Sequence, residues 1–173
     1  MPSPIRPLLT LALFLSFLVG GASTAGAQEA KKHPHYDHLD LSKKGLAIDG
    51  YDPVAYFPEG GGKAKKGDKK ITVTHRGVTY RFKNEANKKA FLKEPAKYEP
   101  QYGGWCAWAM AKGKGSKVEP DPESFTIESG KLYLFYDGLF NDTRKSWKRN
   151  GSAPKLGATA DKNWARIVKP KKG

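Results

Sequence analysis

One apolar-rich run, the twelve residues Leu8–Val19, stands apart from everything that follows it, because no later segment approaches membrane-spanning length. The run itself is too short to span a bilayer, which takes about 20 apolar residues, and Gly20, Gly21, Ser23 and Thr24 interrupt it. Arg6 precedes it with a positive charge, and Ala25-Gly26-Ala27 follows with small residues at the two positions a signal peptidase reads. The pattern predicts a cleavable signal peptide over 1–27 and a new N-terminus at Gln28. No cysteine lies near the junction, so no lipoprotein anchor is indicated. The chain is expected to be periplasmic or secreted, with no transmembrane segment after cleavage.

What remains must hold together without cross-links. Cys106 is the single cysteine, so no intramolecular disulfide can form even in an oxidising compartment. Four Trp, eight Tyr and eight Phe supply the large side chains for packing instead. Residues 28–173 are enough for one domain with a real core. The whole chain carries 31 Lys and Arg against 17 Asp and Glu, a net charge of +14, and losing Arg6 leaves +13. Such an excess sets association and solubility rather than fold. For an exported protein it favours anionic lipid or an anionic envelope polymer over nucleic acid. The alternative is a solvated basic surface with no dedicated partner.

Residues 28–44 read as a polar leader, and the apolar pattern begins at Gly45. Asp52 is placed to cap a short helical turn starting at Pro53 and presenting Tyr56 and Phe57. Gly60–Lys70, rich in Gly and Lys, reads as an exposed loop. Its glycines lack the strand before and the helix after that a phosphate-binding loop requires. Ile71–His75 and Val78–Phe82 alternate around Arg76-Gly77 and predict a hairpin with Ile71, Val73, Tyr80 and Phe82 facing the core. Asn84 is the expected cap of a helix from Glu85 to about Glu94, ended by Pro95. Gly104–Ala111 predicts a short buried helix, and Ser124–Glu128 with Lys131–Tyr136 a second hairpin around Ser129-Gly130. Asn141–Arg149 and Thr159–Ile167 predict two closing helices that bury Trp147 and Trp164. The basic tail 169–173 is expected to be disordered. The fold class is α+β, small antiparallel hairpins packed with short helices over 45–168.

The stretch Gly50-Tyr51-Asp52-Pro53-Val54-Ala55-Tyr56-Phe57, then Gly77-Val78-Thr79-Tyr80-Arg81-Phe82, then Asn87–Tyr98 with Phe91 and Pro95, resembles a YHS domain. Tyr102-Gly103-Gly104-Trp105-Cys106-Ala107 is similar to the secreted, single-domain branch of that family. The resemblance implies a YHS-like fold and an association with heavy metals, copper first. Metal-associated members resembling this region carry Cys just after the Asp-Pro-Val triplet and twice more in the strand-to-helix corner. Here Ala55 and Phe82–Asn87 offer no sulfur, so the inherited site is expected to be absent.

Three other constellations carry candidate chemistry. His33, His35 and Asp37 alternate, which an extended segment would point to one side, with His38 beside them; imidazole and carboxylate suit Cu(II), Zn or Ni. The alternative is a flexible leader that binds metal only adventitiously. Cys106 and Met110, four apart on a helix, would share a face and suit Cu(I), although both are also ordinary core fillers. Cys106 with His75 as base would make a nucleophile, but no oxyanion-stabilising or orienting group accompanies them. Asp49, Asp52 and Asp137 are isolated carboxylates. Tyr51, Tyr56, Tyr80, Tyr98, Tyr102, Trp105 and Trp108 are an aromatic set able to line a small pocket or to pack a core. No reaction is indicated. The expected function is binding of a metal ion, with copper as the candidate, or of a small ligand in the envelope. The alternative is a metal-free accessory module that uses its basic surface.

Overall fold

The computed structural model describes residues 31–42 and 44–170. The predicted signal peptide and the last three residues of the basic tail lie outside them. Among the described residues, six short strands pair as three antiparallel hairpins: β1 (Asp68–His75) with β2 (Val78–Phe82), β3 (Asp121–Glu128) with β4 (Lys131–Phe135), and β5 (Asp137–Gly138) with β6 (Asn141–Asp142). Five helices accompany them: α1 (Glu85–Lys93), α2 (Pro95–Tyr98), α3 (Ala107–Ala111), α4 (Thr143–Arg149) and α5 (Ser152–Ile167). The α+β class expected from the sequence is the one observed.

Both predicted hairpin turns form because their dipeptides reach the left-handed region. Arg76 and Gly77 have φ of 52° and 83°, and Ser129 and Gly130 have 51° and 72°, the twist a two-residue connection needs. Strand β1 begins at Asp68, so the loop expected through Lys70 ends earlier. Gly60 is not loop-like either. It is buried, and a Cβ there would collide with the carbonyl of Val54. Helix α1 keeps its predicted cap, Asn84 Oδ1 accepting from Asn87 N at 2.8 Å, and Pro95 opens α2 as well as ending α1.

Asp52 does more than cap. No α-helix follows it; residues 53–56 are hydrogen-bonded turns. The fully buried carboxyl accepts from Val54 N, Ala55 N, Lys83 N and Asn87 Nδ2, tying the turn to the end of β2 and to α1. Glu128 plays a similar part later in the chain, accepting from Thr126 Oγ1, Trp147 Nε1 and Ala153 N. That last bond anchors the start of α5, which begins at Ser152 and not at the predicted Thr159.

The buried side chains form two clusters. One gathers Val54, Tyr56, Phe57, Val78, Tyr80, Phe82, Phe91 and Tyr98. The other gathers Tyr102, Ala107, Met110, Trp147 and Ala160. Strand β4 separates and serves both, because alternate side chains leave a strand on opposite faces. Leu132 and Leu134 enter the first cluster, and Tyr133 and Phe135 the second. Ile71 and Val73, predicted as core, are only half-buried. Trp147 is buried as expected, whereas Trp164 is half-exposed at the edge of its cluster.

Residues 31–42 do not behave as a free leader. His33 N donates to Arg76 O at 2.7 Å, Asp40 N to Gly103 O at 2.8 Å, and Leu41 bridges to Ala47. Tyr36, Leu39 and Leu41 pack against the first cluster. The segment is thereby laid across the body between β2 and the 100–104 turn.

Candidate functional site

Laying the segment across the body creates a half-open cavity of about 230 Å³. Its wall takes His33, His35 and Asp40 from this segment, Val78 and Tyr80 from β2, Glu99–Gly103 from the following turn, and Asp161 and Trp164 from α5. Local geometry explains how these pieces meet. Tyr102 adopts φ of 56°, a left-handed conformation costly for an aromatic residue, and Gly103 follows at 65°. The reversal directs the Tyr102 hydroxyl to Asp161 Oδ1, to which it donates at 3.1 Å. Gly103 also makes room for the indole: a Cβ there would lie 3.0 Å from Trp164 Cη2 and 2.8 Å from Leu39 Cδ2.

The polar groups converge in pairs. Tyr80 Oη donates to Glu99 Oε1 at 3.3 Å, and burial with the neighbouring Glu99 charge pushes that phenol well above its usual range. His35 N donates to His33 Nδ1 at 3.1 Å, and partial burial lowers the His33 imidazole, favouring its neutral form. The rings of His33 and His35 meet edge to face at 5.8 Å, and His35 meets Trp164 likewise at 6.2 Å. Burial, helped by Glu119 and Asp49, raises Asp40 to about 6. In a chain with 31 Lys and Arg, no Lys or Arg among the described residues lines this cavity, while three carboxyl groups do. The wall combines negative charge with indole and phenol surface, a pairing that attracts organic cations electrostatically and through the ring faces.

The predicted metal residues are dispersed. The histidine segment is not extended throughout: Tyr36–His38 form a 3-10 turn, which breaks the alternation. Asp37 is turned to solvent and pairs with Lys32 at 3.3 Å. His38 faces elsewhere, its Nδ1 3.3 Å from Lys117 Nζ and its carbonyl accepting from Trp105 Nε1. Only His33 and His35 of the three reach the cavity. Among the described residues, no group of three His, Cys, Asp or Glu lies close enough to hold a metal ion.

Cys106 and Met110 are both fully buried, Cys106 as the residue preceding α3 and Met110 within it. The Thr143 hydroxyl donates to Tyr136 O at 2.6 Å, so at the 3.4 Å contact between Cys106 and Thr143 the thiol is the donor. Both sulfurs are sealed from solvent, and among the described residues the one hydrogen-bonding contact of the thiol is to a hydroxyl. His75 packs edge to face on Phe91 at 6.0 Å, in the first cluster, and the structure does not bring it to Cys106.

Of the aromatic set read from the sequence, Tyr80 and Tyr102 line the cavity. Asp40, Glu99, Asp161 and Trp164 were not recognised as site residues. Asp161 and Trp164 stand three apart on one helix, a spacing that shares a face and is the one sequence feature able to link them. No protein-family model, curated protein or solved structure matches this chain.

Proposed function

We propose that this protein is an exported, YHS-like binding module whose cavity takes a small organic cation in the cell envelope. The carrying observation is the inversion of charge at the cavity: Asp40, Glu99 and Asp161 line it, and among the described residues no Lys or Arg does. A cationic head would meet Asp161 and Glu99, and an apolar body would lie against Trp164 and Leu39. The volume suits a small molecule rather than a nucleotide-sized cofactor. Export rests on the N-terminal sequence pattern, and the YHS-like reading on the order of the Gly50–Phe57, Gly77–Phe82 and Asn87–Tyr98 motifs. An organic cation is preferred to a metal ion because, of the predicted ligands, only His33 and His35 reach the cavity, whereas three carboxyl groups and the aromatic faces converge there.

The test compares benzylamine and tetraethylammonium with benzoate, and separately with Cu(II) and Zn(II), by calorimetry on untagged protein. Both organic cations are expected to bind and benzoate is not. Asp161→Asn together with Glu99→Gln is expected to weaken cation binding at least tenfold, with thermal stability monitored alongside. Stoichiometric metal binding lost in His33→Ala/His35→Ala, with no organic cation retained, would overturn the reading in favour of metal.

A further inference from the structure

Leu139 and Phe140 stand 95% and 99% exposed, side by side. They form the two-residue tip of the β5–β6 hairpin, where Asp137 pairs with Asp142 and Gly138 with Asn141. Such tips favour Asn, Asp or Gly because the backbone must reverse, and a Leu-Phe pair brings no conformational advantage there. Helix α4 follows immediately with Arg144, Lys145, Lys148 and Arg149. Lys145 and Arg149 border a shallow recess with the tip itself. Asp142 caps α4 and pairs with Lys145 at 3.2 Å, while Arg144, Lys148 and Arg149 have no carboxylate partner among the described residues.

We infer that Leu139 and Phe140 insert into the interfacial layer of an anionic lipid bilayer while the α4 cations meet its phosphates. Two side chains are too few for a stable protein interface, which buries about 800 Å² on each partner. A bilayer requires no shape-matched groove, and a shallow apolar wedge beside a basic patch combines the two weak signals that together give membrane residence. The basic excess of the chain, +14 in full and +13 without Arg6, adds long-range attraction to the same partner. The inference is independent of the cavity ligand, since the tip and α4 contribute nothing to the cavity wall.

The experiment is sedimentation of the purified protein with vesicles of phosphatidylcholine alone and of phosphatidylcholine mixed equally with phosphatidylglycerol. Binding is expected on the mixed vesicles only, falling steeply as salt rises towards physiological strength. Leu139→Ser/Phe140→Ser should weaken it by on the order of tenfold or more, and each of Arg144→Gln, Lys148→Gln and Arg149→Gln by about fivefold. Because Cys106 is fully buried, Phe140→Cys offers one reactive thiol for an environment-sensitive fluorophore. Its emission should shift to the blue on mixed vesicles and be quenched by nitroxide-labelled lipid. The tip substitutions face solvent and should leave the melting temperature unchanged, which separates lost binding from lost fold. Undiminished vesicle binding by the double serine variant, or a fluorophore that stays in water, would overturn the inference. So would absence of vesicle binding together with self-association that the double serine variant abolishes, which would assign the tip to a second copy of the chain.

Discussion

Asn87 Nδ2 donates to Asp52 Oδ2 at 2.6 Å, closing a buried contact between residues 35 apart in sequence. Around it, Asp52 also satisfies Val54 N, Ala55 N and Lys83 N. Truncating the carboxyl would take this partner from Val54 N, Lys83 N and Asn87 Nδ2, each loss costing about 1–3 kcal/mol where water cannot replace it, while Ala55 N keeps its bond to Asp52 O. Asp52→Ala should therefore destabilise the protein by at least about 3 kcal/mol. Asn87→Ala, which removes one donor and leaves the others satisfied, should cost clearly less. Urea denaturation of both variants decides it, and a cost below about 1 kcal/mol for Asp52→Ala would show that the donors find other partners.

Asp40 predicts a pH signature. Its folded pKa near 6 lies above its ordinary value of 3.8, so the native state holds the proton more tightly than the unfolded chain. Its contribution to stability is present in full below pH 4 and is lost as pH rises through 6. Asp40→Asn, which resembles the protonated form, should match the parent in melting temperature near pH 4 and exceed it at pH 7.5. A difference independent of pH would mean that Asp40 is more solvated than its burial implies.

Cys106 separates packing from copper chemistry. Thr143 keeps its hydrogen bond to Tyr136 O whatever occupies position 106. Cys106→Ala should then cost only about 1 kcal/mol, for the small cavity it leaves. Cys106→Ser can still donate to Thr143 and should stay within about 2 kcal/mol of the parent. Calorimetric melting checks both. Submicromolar Cu(I) binding by the parent, lost in both variants with no fall in melting temperature, would contradict the packing role.

Export is tested at the N-terminus. Mass spectrometry of the envelope and secreted fractions should find protein beginning at Gln28, with or without cyclisation to pyroglutamate. Full-length chain confined to the cytoplasm would remove the compartment argument and, with it, the choice of envelope ligands.

The hairpins and α1 were legible because their signals are local: Arg76-Gly77 and Ser129-Gly130 between alternating residues, and Asn84 before and Pro95 after a helical stretch. The boundaries that moved are set at long range. Helix α5 starts early because Glu128 reaches Ala153 N, and α3 starts late because Trp105 and Cys106, with ψ of 157° and 118°, stay out of the helical region while Cys106 N donates to Val118 O. The cavity was illegible for the same reason. His35, Tyr80, Glu99 and Trp164 come from four separate segments, and a net charge of +14 conceals a wall that takes no Lys or Arg from the described residues. Leu139 and Phe140 formed part of no apolar periodicity, so nothing in the sequence set them apart from interior residues.

Strand β4 has a consequence for how the molecule comes apart. With Leu132 and Leu134 on one side and Tyr133 and Phe135 on the other, a slip of one residue would exchange aliphatic for aromatic groups in both interiors at once. Neither interior can loosen while this strand stays in register, and neither can survive its loss. The amides of Leu132–Phe135 should accordingly exchange with solvent only when the whole chain unfolds, making the protein a single cooperative unit despite its two cores.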